Sequence, residues 1–218
     1  MPPFDILVFD MDGVLVDVSE SYRETIVQTV KQFTGQTISR ELIQEYKNRG
    51  GYNNDWILSQ KICADLGHDV EYDLVVQTFN DFFINQGLIH RERWIPAPGL
   101  LERLASKVEL AIFTGRSKFE AEITLERQGL RDSLLLITST DVENEKPAPD
   151  GLLKIAEMRP GKRLLYVGDT IDDGRAAQAA GVPFIGIAAL HSPRREELVV
   201  ALNSVGAIRI LGDVNEIG

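Results

Sequence analysis

Residues 4–17, FDILVFDMDGVLVD, decide the architecture. Ile6 to Phe9 form a short, continuously apolar run that stops at Asp10, the pattern of a strand buried on both faces. Runs of the same kind recur at Leu110–Phe113, Leu134–Ile137, Leu164–Val167, Phe184–Ile187 and Ile208–Leu211. Segments of helical period lie between them. One carries Ala121, Leu125 and Gln128, another Leu152, Ile155 and Ala156. A third, with Ala176, Ala177, Ala179 and Ala180, closes on Gly181, a helix C′ residue. Buried strands alternating with helices predict parallel βαβ units. The expected fold is therefore α/β, a Rossmann-like doubly wound parallel sheet.

The stretch from Asp17 to Arg91 breaks that rhythm. Ser21 with Glu24 reads as a capping box ahead of Tyr22, Ile26, Val30 and Phe33, a helix that runs to Gly35. Ser39 opens a second helix through Leu42, Ile43 and Tyr46. Asn54 or Asp55 caps a third, carrying Trp56, Ile62 and Leu66 before Gly67. Leu74, Val75, Phe79, Phe82 and Phe83 outline a fourth, ending before Gly87. Helices without a strand predict a small helical subdomain inserted after the first strand. Pro96, Pro98 and Gly99 mark the return to the sheet. The expected division is residues 1–15 and 92–218 as core and residues 16–91 as insert.

Composition narrows the partners. The formal charge is −10, which disfavours nucleic acid and anionic membranes, because both are held largely by Lys and Arg. Cys63 is the single cysteine, so neither an intramolecular disulfide nor a cysteine metal cluster is expected. MPPFDILVFD lacks a basic start and a long apolar core, so it does not read as a signal peptide. No apolar run approaches a bilayer-spanning length. A cytoplasmic protein is expected, either monomer or homodimer.

The chemistry-bearing residues fall just after predicted strands, where open parallel sheets bind ligands. Asp10 and Asp12 follow the first, Thr114-Gly115-Arg116 the second, and Gly168-Asp169-Thr170-Ile171-Asp172-Asp173 the Leu164–Val167 strand. Lys146 lies a short loop beyond Leu134–Ile137. Several carboxylates converging there would hold protons unless a cation neutralised them. Oxygen-only ligands select a hard ion, and Mg²⁺ fits a few carboxylates plus substrate phosphate. An ionised Asp can then attack phosphorus, and a second Asp two residues on can protonate the leaving oxygen and later activate water. Thr114 offers a hydroxyl and Lys146 a fixed positive charge for phosphoryl oxygens.

In that order, DMDGVLVD, FTGR, KPAPD and GDTIDD resemble the four motifs of the haloacid dehalogenase-like phosphatase superfamily, subfamily IA. The insert stands where that family carries a helical C1-type cap. The resemblance implies Asp10 as nucleophile and Asp12 as general acid/base. It implies Mg²⁺ on Asp10, the Asp12 backbone carbonyl and Asp169, with the phosphoryl group on Thr114 and Lys146. Asp173 would orient metal-bound water or Lys146, and Asp172 is the alternative; either also reads as a helix cap. Gly115 and Arg116 complete the substrate-facing loop, Arg116 as a substrate contact or a cap of the next helix.

In C1-capped relatives the loop Arg49-Gly50-Gly51-Tyr52-Asn53-Asn54-Asp55 overhangs the nucleophile. Arg49, Tyr52, Asn53 and Asn54 are therefore candidate substrate contacts, with a polar helix connection as the plainer reading. Ser19, Ser21, Tyr22 and Arg23 follow the first hinge and either face the site or simply begin a helix. The implied activity is hydrolysis of a small phosphorylated metabolite, phosphoglycolate or an imidazole phosphate such as histidinol phosphate. A phosphomutase of the β-phosphoglucomutase kind and a non-catalytic binding module are the alternatives. A phosphonate hydrolase would need a cap lysine, for which Lys47 and Lys61 qualify by location alone.

Overall fold

The computed structural model describes residues 3–217. The chain begins with β1 (Ile6–Phe9) and a two-residue strand β2 (Val16–Asp17). Four helices follow: α1 (Tyr22–Thr34), α2 (Arg40–Arg49), α3 (Asp55–Asp65) and α4 (Tyr72–Asn80), the last running into a π-helical turn at Asp81–Asn85. β3 (Arg93–Trp94) returns antiparallel to β2, pairing Val16 with Trp94 and Asp17 with Arg93. Thus the two passes between the helical layer and the sheet form a ribbon that the apolar pattern does not announce. The remainder is α5 (Leu100–Ala105), β4 (Glu109–Phe113), α6 (Lys118–Arg127), β5 (Leu135–Ile137), α7 (Asp150–Met158), β6 (Leu164–Gly168), α8 (Ile171–Ala180), β7 (Phe184–Ile187), α9 (Arg195–Ser204) and β8 (Ala207–Leu211).

The large sheet is parallel, in the order β5-β4-β1-β6-β7-β8. All six strands expected from the apolar runs are present. β1 is central because both its faces are apolar: Leu7 and Phe9 join one core, Ile6 and Val8 the other. Residues of α5, α6 and the helical layer pack in the first core; α7, α8 and α9 cover the opposite face. Strand order reverses between β1 and β6, the crevice where doubly wound sheets bind ligands.

Local signals account for most helix ends. The Ser39 side chain accepts from the Leu42 N–H, the Asn54 side chain caps α3 at Trp56 and Ile57, and Gly181 takes the left-handed conformation after α8. The capping box expected from Ser21 and Glu24 is absent. The Ser21 side chain makes no capping bond. Glu24 instead receives Gln28 at 2.5 Å and Arg40 at 2.6 Å. A longer-range guanidinium has out-competed the local cap.

Candidate active site

β1 and β6 end side by side, so the loops that follow them meet. The Asp10 N–H donates to the Val167 carbonyl at 2.8 Å, fixing the first residue after β1 against β6. On the other side the Thr114 N–H donates to Ile137 at 3.0 Å, placing the loop after β4. Lys146 arrives from the loop ahead of α7.

Lys146 is the centre of the buried charge. Its Nζ donates to Oδ1 of Asp10 and to Oδ1 of Asp173, each at 2.8 Å. Asp173 Oδ1 also accepts the Tyr166 hydroxyl at 2.7 Å, while Oδ2 accepts the N–H and hydroxyl of Thr170 at 3.0 and 2.6 Å. Asp173 therefore caps α8 and anchors Lys146 with the same carboxylate, so the two readings of that residue coincide. Burial opposes the charge on Lys146, yet Asp10 and Asp173 hold its pKa above the ordinary lysine value. Burial likewise acts against ionised Asp173, but Lys146 and the hydrogen bonds keep its pKa below the usual carboxylate range.

Of the other two acids in the cluster, Asp10 has Lys146 alone as a charged partner and Asp169 has no ion pair among the described residues. Burial pushes the Asp10 carboxyl up to about 7; Asp173 and Asp12 add to the rise and Lys146 opposes it. Burial, then Asp173 and Asp10, hold Asp169 well above its usual range, against the pull of Arg23 and Lys47. Oxygens of Asp10, Asp169 and Asp173 lie within 4.8 Å of one another. An oxygen-only, buried cluster with this surplus of negative charge fits a metal site. Since Asp173 is already saturated with donors, Asp10 and Asp169 are the side chains free to ligate. Gly13 makes room for this: its φ is +73°, and a Cβ there would fall 2.0 Å from Asp169 Oδ2.

The Asp12 carboxylate stands apart from that cluster. Its Oδ1 accepts Nε and Nη2 of Arg116 at 2.9 and 2.5 Å. Arg116 also donates to Thr124 Oγ1 at 2.8 Å, pairs with Glu92 at 2.8 Å and lies over the Tyr22 ring. Its side chain is 1% exposed and that of Glu92 2%, so this is a buried ion network. Arg116 is thus committed to Asp12 and to the residue before β3, besides lining the cavity described next. Glu92 had no sequence signal, being an isolated acid in a charged run.

A cavity of about 80 Å³ opens above these residues. Asp10, Asp12 and Asp169 form part of its wall; Arg23, Lys47, Asn53, Asn54 and Trp56 come from the helical layer, and Gly115 from the loop after β4. Thr114 and Lys146 are buried, 1% and 5% exposed, and do not line it. A Cβ on Gly115 would lie 2.3 Å from Nδ2 of Asn53, so the two loops touch. Of the loop residues expected to face substrate, Asn53 and Asn54 do. Arg49 pairs with Glu45 and lies over Tyr46, and Tyr52 packs edge-on against Tyr46, which turns both away from the cavity. Asp172 is not at the cluster either: both its oxygens accept the Gly51 N–H at 2.8 Å, tying the glycine loop to α8. Of the two lysines singled out, Lys47 lines the cavity, paired with Asp55 at 2.5 Å, whereas Lys61 pairs with Asp65 on the surface.

Residues 7–187 match the model of the family described as haloacid dehalogenase-like hydrolases. The chain belongs to the haloacid dehalogenase-like hydrolases. It is 29% identical over 198 residues to an imidazoleglycerol-phosphate dehydratase of Phytophthora nicotianae, a match covering 85% of this chain but only 43% of that protein. It is 24% identical over 189 residues to a phosphoglycolate phosphatase of Pseudomonas syringae pv. tomato, covering 84% of this chain and 68% of the relative. A solved haloacid dehalogenase-like protein of Agrobacterium tumefaciens shares the fold, with a TM-score of 0.78 at 20% identity over 99% of this chain and 96% of the other. No helix among the described residues is long and apolar enough to cross a membrane.

Proposed function

We propose that this hydrolase is a Mg²⁺-dependent phosphatase that forms an aspartyl-phosphate on Asp10 while hydrolysing a small phosphorylated metabolite. The observation that carries the reading is the buried Lys146 shared by Asp10 and Asp173 beside Asp169, at the β1–β6 crevice. Residues 16–91 act as a cap that excludes water over this crevice.

Asp10 and Asp169, with the Asp12 carbonyl, would hold Mg²⁺, whose charge lets both carboxylates ionise and draws phosphoryl charge when substrate is bound. A carboxylate oxygen of Asp10 attacks phosphorus and the ester P–O bond breaks, the leaving oxygen taking a proton from Asp12. Water then attacks the phosphorus of the acyl phosphate. Its proton goes to the Asp12 carboxylate, the bond to Asp10 breaks, and inorganic phosphate departs. Arg116 sets the position of Asp12 for both proton transfers, and Lys146 orients Asp10 and offsets phosphoryl charge. The roles of Thr114 and Gly115 are to present a hydroxyl and an N–H to the phosphoryl oxygens.

Phosphoglycolate and imidazole phosphates are the substrates to try first, because relatives carry names of enzymes acting on such compounds. Phosphate release from a panel of phosphorylated metabolites, with Mg²⁺ and with EDTA, tests the reading. We expect release that EDTA stops and that Asp10→Asn reduces by at least about a thousandfold, the scale of losing a covalent nucleophile. Isomerisation of a hexose phosphate without net release would make the enzyme a phosphomutase instead. Release undiminished in Asp10→Asn would overturn the mechanism.

A further inference from the structure

Among the described residues, three buried hydrogen-bond donors in the cavity wall have no partner: the Tyr22 hydroxyl, Nη1 of Arg23 and Nδ2 of Asn53. Buried polar groups are nearly always partnered, so orphans sharing one cavity imply a ligand that supplies acceptors. The charges agree. Lys47 faces Asp55 at 2.5 Å, and Arg116 faces Asp12 and Glu92. Arg23 is the cavity cation that pairs with no carboxylate among the described residues.

Position identifies what the donors await. Arg23 lines the same cavity wall as Asp10 and Asp169. Asn53 lies against Gly115, on the loop where the phosphoryl-binding Thr114 sits. Both side chains thus reach, from the helical layer, the cavity wall that Asp10 shares. Tyr22 differs, since its ring lies under Arg116, the residue that holds Asp12. We propose that Arg23 and Asn53 are the cap's own phosphoryl ligands, binding non-bridging oxygens of the group transferred to Asp10. The inference rests on reading this cavity as a phosphoryl site, and it goes further: the phosphoryl group itself bridges cap and core. A leaving-group contact would make the effect of Arg23 depend on what the phosphate is attached to. A phosphoryl contact makes it independent of that.

Inorganic phosphate, which has no leaving group, is therefore the probe. Its affinity is measured calorimetrically with Mg²⁺ in Asp10→Asn and in Asp10→Asn combined with Arg23→Gln, Arg23→Lys or Asn53→Asp. Loss of a charge-assisted bond predicts roughly 10- to 100-fold weaker phosphate binding for Arg23→Gln, with partial recovery in Arg23→Lys. Asn53→Asp, nearly isosteric but repelling an anion, should weaken binding at least as much. In the otherwise unaltered enzyme, Arg23→Gln should lower kcat/KM by a similar factor for phosphoglycolate and for ethyl phosphate. Unchanged phosphate affinity in Arg23→Gln overturns the proposal. So does a loss confined to phosphoglycolate, which would assign Arg23 to the leaving group. An Arg23-dependent phosphate site without turnover of any ester would keep this inference and sink the phosphatase reading. Thermal unfolding of each variant separates a lost contact from a lost fold.

Discussion

Arg116 shows how much of this site depends on single side chains buried with their partners. Its guanidinium holds Asp12, Glu92 and Thr124 at once, and the Tyr22 ring covers it. Burial works against its charge, and Asp12, Tyr22 and Glu92 more than restore it. Removing one partner from such a set leaves the other charges unpaired in a poor solvent. Arg116→Ala should destabilise the fold by about 3–5 kcal/mol. It should also lower kcat roughly 100-fold or more by releasing Asp12, the proposed acid/base. Urea unfolding and steady-state rates check both; a variant that keeps full stability and rate would show the network to be incidental. Asp10, Asp12, Asp169 and Lys146 were legible in sequence because each follows a strand whose apolar run is unmistakable. Glu92 and Tyr166 were not, since their partners, Arg116 and Asp173, become neighbours only once the sheet has formed. Arg49 and Tyr52, also expected to face substrate, do not line the cavity, for a related reason. A loop's composition names its donors but not which way each faces, and Tyr46 drew both aside.

Between elements, the contacts are local signals combined with long-range pairs, and the second kind decides where the two disagree. Ser39, Asn54 and Gly181 behave as their helix-end positions dictate. Ser21 does not, because Glu24 is taken by Arg40 of the next helix. Strands of four or five apolar residues were readable, whereas the two-residue ribbon of β2 and β3 was not, being too short to show alternation. The glycine pair shows a third case: Gly50 and Gly51 both have positive φ, and the turn they make presents the Gly51 N–H to Asp172 on α8. Tyr46 joins α2 to α3 by donating its hydroxyl to Asp65 at 2.5 Å. Burial, then that bond and the Asp65 charge, push the tyrosine up to about 12. An unfolded tyrosine ionises near about 10. The native state thus retains a proton that the unfolded chain gives up, and stability falls as pH rises from 10 through 12. Below 10 the contribution is fully present. Unfolding midpoints at pH 8, 10 and 11.5 should therefore decline more steeply in the natural protein than in Tyr46→Phe. Parallel curves for the two proteins would rule the tie out.

At the scale of the molecule, the question is whether the helical layer and the sheet are two bodies or one. Segments joined by a short ribbon generally move and melt independently unless a large apolar interface unites them. Here one apolar cluster runs without a break from Leu7 and Phe9 of β1 through Met11, Val14 and Leu15 into Ile26, Val30, Phe79 and Phe83 of the helical layer. Tyr22 stacks on Phe83 with ring centroids 4.1 Å apart, at the point where α1 leaves the hinge. Polar ties reinforce it at the far side, where Arg194, ahead of α9, pairs with Glu45 of α2 at 2.5 Å and Asp172 holds Gly51. Helices α1, α3 and α4 pack on one another, and Met11, Val14 and Leu15 carry their apolar cluster on into the sheet without a break. Calorimetric unfolding should consequently show one transition, with calorimetric and van't Hoff enthalpies in a ratio near about one. Because Asp10 and Asp169 follow strands of the sheet and Arg23 and Asn53 belong to the helical layer, the proposed binding of Mg²⁺ with phosphate should move that single midpoint upward, by an amount that grows with the logarithm of ligand concentration. Two resolved transitions, only one of them shifted by the ligands, would mean that the cap folds as a separate unit and that the bridging phosphoryl group joins bodies the apolar cluster does not.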